Sequence, residues 1–246
     1  MAFGDVVQSN TGTSTTATTA PTLPGAVTSG NIVVLTFAAD DYNGSPNSGW
    51  TQSPEMEQQT FHGGYLWWFK ASSGGQAIPS YLIDSAVRST WTLAEYEGPF
   101  DASPYDVSEG QFEQTSGNSY ATADMTPTAG SRLLVAALVA QVASADLEAW
   151  GSFTGGFTQV ASSLFNGGNP RLSIVQLRQV VTANGSTAYA TSGSHGAQVS
   201  QSRSGFALAL KASTGGATTL TPGVGTTPVT GRALTLGLTI GMPAVP

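Results

Sequence analysis

The feature that most restricts how this chain can fold is that its sequence repeats itself once. Four segments recur in the same order. Gly30-Asn-Ile-Val-Val-Leu-Thr-Phe-Ala-Ala39 matches Gly130-Ser-Arg-Leu-Leu-Val-Ala-Ala-Leu-Val139, and Ser48-Gly-Trp-Thr-Gln52 matches Gly155-Gly-Phe-Thr-Gln159. Tyr65-Leu-Trp-Trp-Phe-Lys70 matches Ser173-Ile-Val-Gln-Leu-Arg178, and Thr90-Trp-Thr-Leu-Ala-Glu95 matches Gly205-Phe-Ala-Leu-Ala-Leu210. The spacing between partners widens along the chain, as expected where strands are kept and loops vary. Two internal repeats, about 3–100 and 105–212, follow from this alignment.

The comparison decides the secondary structure. Leu133 to Trp150 is rich in Ala and Leu and has the composition of a helix. Its partner, Asn31 to Phe37, is β-branched and aromatic, which suits a strand. Two copies of one motif share one structure, so both are predicted as strands, the second as far as Gln141, with a short helical turn over Ser144 to Trp150. Turn pairs punctuate the chain at Asn43-Gly44, Ser73-Gly-Gly75, Asn166-Gly-Gly168 and Asn184-Gly185. Many short strands with such turns predict an all-β fold: a jelly-roll-like β-sandwich made of two internally repeated halves, as a jelly roll is itself two Greek keys.

Composition narrows the function classes. Only 9% of the 246 residues are charged, against 40% hydrophobic, and an ordinary soluble domain carries roughly 25% charge. Small polar residues take the place of charges, a balance common in virion and secreted β-proteins. The net charge is −7 and the eight Lys and Arg are scattered, which argues against a nucleic-acid partner. The longest apolar runs, Ile32 to Ala39 and Leu133 to Ala140, are too short for a spanning helix, so no membrane insertion is expected. Met1-Ala-Phe-Gly-Asp5 lacks the pattern of a Sec signal peptide, which fits synthesis in a host cytoplasm. The absence of cysteine excludes disulfides and thiolate metal sites.

The end of the sequence has another character. Residues 213–246 form a Gly/Thr/Pro-rich linker and then a segment alternating apolar and small residues, set apart from a sandwich over 1–212. Leu220, Val224, Val229, Leu234, Leu236, Leu238 and Ile240 are its apolar side chains. An apolar strand without a partner in its own chain pairs with another surface. This is the expected assembly segment, docking on other subunits by strand addition in a homo-oligomer, with a trimeric stalk as the expected form.

Gly-Asn-Ile-Val-Val-Leu, Ser-Gly-Trp-Thr, Tyr-Leu-Trp-Trp-Phe-Lys and Trp-Thr-Leu-Ala-Glu-Tyr-Glu-Gly resemble a domain of actinobacteriophage minor tail and related virion proteins, over roughly residues 3–212. Leu-Thr-Pro-Gly-Val-Gly followed by Leu-Thr-Leu resembles segments at the ends of other phage structural proteins. The resemblance implies a structural component of the virion, placed at the tail tip, with other virion proteins as partners and a role in host adsorption. It brings no catalytic residues and no cofactor. The alternatives are a capsid decoration or head-fibre protein, and a carbohydrate-binding module contacting a host surface glycan.

Several residues have the right chemistry to test that reading. Glu95 and Glu97 are two apart on a predicted strand, which sets both on one face roughly 6.5 Å apart, within the range of glycosidase carboxylate pairs. Asp40-Asp41-Tyr42-Asn43-Gly44 carries oxygen ligands suited to Ca²⁺, without the alternating spacing of a calcium loop. His62 and His195 sit beside glycines in expected loops, without zinc-pair spacing. No Gly-x-Ser-x-Gly elbow and no phosphate-binding loop occurs. Trp67 and Trp68 are adjacent on a strand and point to opposite faces. Aligned with Val175 and Leu177, Trp67 and Phe69 are expected in the core. Aligned with Gln176 and Arg178, Trp68 and Lys70 are expected at the surface, as a protein or glycan contact.

Overall fold

The structure, a computed structural model, describes residues 1–16, 18–40, 44–46, 48–52, 58–59, 62–83, 88–113, 117–142, 149–167, 171–195 and 202–214. The chain divides into two units, Met1–Thr214 and Gly215–Pro246. The second lies outside the described residues, and with it the expected assembly side chains from Leu220 to Ile240.

Among the described residues there is no helix, and sixteen strands follow one another. The first repeat holds β1 (Val6–Ser14), β2 (Thr18–Thr19), β3 (Ile32–Ala39), β4 (Gly44–Pro46), β5 (Thr51–Gln52), β6 (Gln58–Gln59), β7 (His62–Lys70), β8 (Tyr81–Ile83) and β9 (Ser89–Tyr96). The second holds β10 (Phe100–Glu113), β11 (Ser119–Ala121), β12 (Gly130–Val142), β13 (Thr158–Phe165), β14 (Arg171–Ala183), β15 (Ser192–Ser194) and β16 (Ser202–Ala212). The Ala- and Leu-rich stretch is thus a strand through Gln141. The helical turn expected from Ser144 falls largely outside the described residues.

Two large antiparallel sheets face each other in a β-sandwich. One runs β1-β9-β3-β7-β5, with β6 also paired to β7, and the other runs β10-β16-β12-β14-β13. The orders are the same: the last long strand of each repeat inserts between its first and second, and the short or late strand lies at the far edge. The repetition seen in the sequence is therefore a repetition of topology, and each repeat supplies one whole sheet. Every described ladder closes within its own repeat.

Each sheet is buried on both faces, which explains why β3 and β12 read as unbroken apolar runs. Between the sheets lie Ile32, Val34, Ala38, Leu66 and Trp68 from the first repeat, against Leu133, Val135, Val139, Ile174, Phe206 and Leu208 from the second. The outer face of the first sheet packs Leu35, Phe37, Tyr65, Trp67 and Leu93 under loops and the small β2-β8-β4 sheet. Phe37 stacks there on Tyr65 and Tyr81 at 4.6 and 4.3 Å between ring centres. The outer face of the second sheet packs Leu134, Leu138, Val175 and Leu177 with Met125, Trp150 and Phe157.

These faces correct part of the alignment. Ile32, Val34 and Ala38 share the inter-sheet face with Leu133, Val135, Ala137 and Val139. Setting Gly30 on Gly130 puts Ile32 opposite outward-facing Arg132, so that match is out of phase by an odd number of residues. Setting Thr90 on Gly205 has the same fault, because Ala94 shares the inner face with Leu208 and Leu210, and Ala209 faces outward. In a strand a slip of one residue exchanges the two faces. The aromatic segment is in phase, since Trp68 and Gln176 both point between the sheets.

A polar line crosses this inner core. Thr36 Oγ1 and Thr92 Oγ1 are 2.5 Å apart, Thr92 donates to Gln176 Oε1 at 3.0 Å, and Gln176 Nε2 donates to the Tyr96 hydroxyl at 3.1 Å. Along the flank where β13 packs against β1 and β9, Thr90 donates to Ser163 Oγ at 2.7 Å, and Ser163 donates to the Gly12 carbonyl at 3.2 Å. Both sheets are thereby fixed to each other by directional bonds as well as by apolar contact. At Gly64 the sheets leave no room for a side chain: a Cβ there would meet the Phe206 ring at 2.5 Å.

Candidate functional site

The paired carboxylates are separated in role. Glu95 is fully buried on the outer side of β9. Its Oε1 accepts from the Thr28 amide at 2.8 Å and from Asn31 Nδ2 at 2.7 Å, and its Oε2 accepts from Gln8 Nε2 at 2.6 Å. Asn31 Oδ1 in turn accepts from the Gly98 amide at 3.0 Å. These bonds tie β1, the loop before β3 and the end of β9 together. Glu97 lies beyond β9, half-buried, with its amide bonded to the Asp5 carbonyl at 2.9 Å. Glu95 is thus a clamp for three segments.

Asp40 is likewise engaged. Its carboxylate accepts from the Arg88 amide at 2.8 Å and from Arg88 Nε at 3.0 Å. Asp41 and Asn43 lie outside the described residues, and among those described no group of three or more His, Asp or Glu could hold a metal. His62 opens β7, opposite Gln59. His195 lies just after β15, outside any strand, and is fully buried, with Trp150 edge-on at 4.7 Å.

A second buried cluster is ionic. Arg132 Nε bonds Asp106 Oδ2 at 2.6 Å, and Arg132 Nη2 reaches Thr128 Oγ1 and the Ala129 carbonyl. Burial pushes the Asp106 carboxyl upward, but hydrogen bonds from Arg132 and Thr128 outweigh it and hold the group below its ordinary 3.8. Burial raises two phenols, Tyr81 to about 12 and Tyr96 further still, despite bonds from Ser89 and Gln176 that act the other way.

Trp68 and Lys70 require a correction. Trp68 is only 6% exposed and packs between the sheets, so it is not the surface aromatic that its match to Gln176 implied. Gln176 is itself fully buried in the polar line, so a polar counterpart did not mark an outward face. Lys70 is half-buried, and its Nζ donates to the Phe100 and Asp101 carbonyls at 2.9 Å each, holding the connection between the repeats. Trp67 is fully buried, as expected.

The edge of Trp68 does reach a cleft of about 480 Å³, at the flank opposite the β13–β1 contact. Thr51, Gln52 and Trp68 line it from the first sheet, and Ala102, Ser103, Pro104 and Tyr105 from the second. Here β10 loses register with β16 between Phe100 and Tyr105, so the intervening residues bow away from their sheet. Trp68 Nε1 is buried and has no hydrogen-bond partner among the described residues. Among the described residues that line it there is neither a carboxylate nor a cation. Sequence reasoning missed this feature; Pro104 inside a strand was the available signal, since proline there marks a bulge or an edge. No family model, curated protein or solved structure matches the chain.

Proposed function

We propose that this chain is a non-enzymatic structural protein of a phage virion, a minor tail component that docks onto other virion proteins through its C-terminal segment. The observation that carries this reading is the division of the chain into a self-contained unit, Met1–Thr214, and a separate unit, Gly215–Pro246. The first is a doubly buried sandwich whose candidate reactive groups, Glu95 and Asp40, are occupied in holding segments together. The second is, by sequence, apolar at alternating positions and almost uncharged, the character of a strand that completes another surface. The resemblance of the repeat motifs to phage tail domains supplies the setting.

Deleting residues 215–246 tests the reading. The truncated chain is expected to fold and remain soluble, yet to be missing from particles assembled in its presence. Normal incorporation of the truncated chain would refute it. Immunogold labelling of intact particles separates a tail position from the head position of a decoration protein. The glycan-binding alternative is weakened by the burial of Trp68, and no other residue observation favours it.

A further inference from the structure

We propose that Asn184 is a self-modification site. In the folded protein its side-chain amide becomes a carboxylate, through attack by the Gly185 backbone nitrogen, loss of ammonia and uptake of water. The proposal stands on the turn after β14 and does not depend on the assembly role above.

The sequence holds three Asn-Gly pairs, Asn43-Gly44, Asn166-Gly167 and Asn184-Gly185. Only the last lies in a turn whose residues are all described. In such a pair the attacking nitrogen is least hindered, because glycine has no Cβ to shield it. The chain leaves β14 at Ala183, and Gly185 takes a φ of +80°, where a side chain would be strained. Asn184 to Ala188 are exposed, so water reaches the reacting atoms and ammonia can leave.

The turn prepares both reacting groups. Asn184 Oδ1 accepts from the Ser186 amide at 2.9 Å, the Thr187 amide at 2.8 Å and the Ser186 hydroxyl at 3.1 Å. Addition at Cγ places negative charge on this oxygen, and donors already aimed at developing charge lower the barrier. The same bonds draw the side chain back over the peptide that follows it. The nucleophile is open as well: Gly185 N–H donates to no described residue, and its proton faces solvent base.

The Gly185 nitrogen loses its proton to solvent and bonds to Asn184 Cγ. The Cγ–Nδ2 bond breaks, Nδ2 takes up a proton and leaves as ammonia, and a five-membered imide remains. Water then opens the imide at Cγ, leaving Asp at position 184, or at the main-chain carbonyl carbon, leaving isoaspartate. The donors to Oδ1 polarise Cγ in this second addition too, which favours Asp. A carboxylate there accepts the same three bonds, now strengthened by charge. The turn thus fits the product better than the starting amide, and the change adds one negative charge to a net −7.

The full-length protein is held in mildly alkaline buffer, folded or in urea, and then cleaved after Arg178 and Arg203. The fragment Gln179–Arg203 contains one asparagine, Asn184. Mass spectrometry follows its conversion, and chromatography against synthetic peptides separates Asp from isoaspartate. A single oxyanion donor in an enzyme is worth about 10²-fold in rate, and in this exposed turn the three together should make the folded chain react about tenfold faster than the unfolded one. Asp is expected as the main product of the folded chain. Ser186→Ala removes one donor and should slow the folded chain about threefold while leaving the unfolded rate unchanged, and Ser186→Thr should restore it. Asn184→Asp, the product chain, should unfold at the same urea concentration as the parent or a higher one. A folded rate equal to or below the unfolded rate overturns the proposal. So does an undiminished folded rate in Ser186→Ala, isoaspartate as the main folded product, or a less stable Asn184→Asp.

Discussion

Gln176 of the second repeat donates its side-chain amide to the Tyr96 hydroxyl of the first at 3.1 Å, inside a largely aliphatic and aromatic core. Apolar attraction is non-directional and on its own does little to select one alignment of two sheets. A satisfied polar line allows one alignment. Replacing Gln176 by Leu strands the Tyr96 hydroxyl and leaves Thr92 paired with Thr36 alone, and an unmet buried group costs about 1–3 kcal/mol. Urea unfolding of Gln176→Leu should show that loss. Combining it with Tyr96→Phe should return part of it, giving a measurable coupling energy in a double-mutant cycle. Strictly additive losses would show that the two residues do not act together.

Stability should fall at high pH. The Tyr81 phenol is pushed up to about 12 by burial, and Tyr96 is raised as well. Unfolded tyrosines release their protons near 10, so between about 10 and 12 the unfolded chain binds fewer protons than the folded one. The stabilisation from each buried phenol is whole below pH 10 and is lost as pH rises through its folded value. Phenolate absorbance of the native protein should therefore reach its full amplitude only on unfolding, and Tyr81→Phe should flatten part of the alkaline limb.

The acid limb has the opposite sign. Asp106 is held below its ordinary 3.8, so its contribution is complete above that value and is lost as pH falls through its lower folded value. Asp106→Asn should remove this part of the pH dependence. Arg132→Met leaves a buried carboxylate without its partner and should cost about 3–5 kcal/mol at neutral pH. Denaturant titrations at pH 7 and at pH 3 would measure both effects.

Glu95→Gln should lower stability by about 2–4 kcal/mol, because an amide can accept at one oxygen only and turns a donor toward the donors of Asn31 or Gln8. Glu97→Gln, with no comparable set of bonds, should stay within about 0.5 kcal/mol. Equilibrium unfolding of the two variants tests the difference. A glycan-hydrolysing activity that disappeared in Glu95→Gln with stability unchanged would reverse the role assigned to this residue.

The duplication was legible because strands of a repeated fold keep their aromatic and aliphatic character while loops drift. Its phase was not legible in β3, β12, β9 and β16, since these strands are buried on both faces, and in β9 the polar residues Thr90 and Thr92 face the other sheet. Trp68 was misplaced for a related reason. Its polar counterpart Gln176, like Arg178 opposite Lys70, was read as outward-facing. Gln176 is sealed in the core, and Arg178 is folded onto the Gly4 carbonyl at 2.6 Å. Glu95 resembled a candidate acid because nothing local announces its partners: Gln8, Thr28 and Asn31 are far from it along the chain. The cleft escaped notice because it is built from two edges that meet only once both sheets have formed.

Because every described ladder closes within one repeat, the polypeptide passes from one large sheet to the other once, over Glu97 to Pro99 between β9 and β10. Two copies of the chain that open at this short link can trade whole sheets. Each exchanged unit would keep all its ladders, and each new pair of faces would recover the contacts of Trp68, Phe206 and the Gln176–Tyr96 line. Such an exchange would require no new surface, only a hinge. Its balance against the single-chain form would be set by protein concentration during folding.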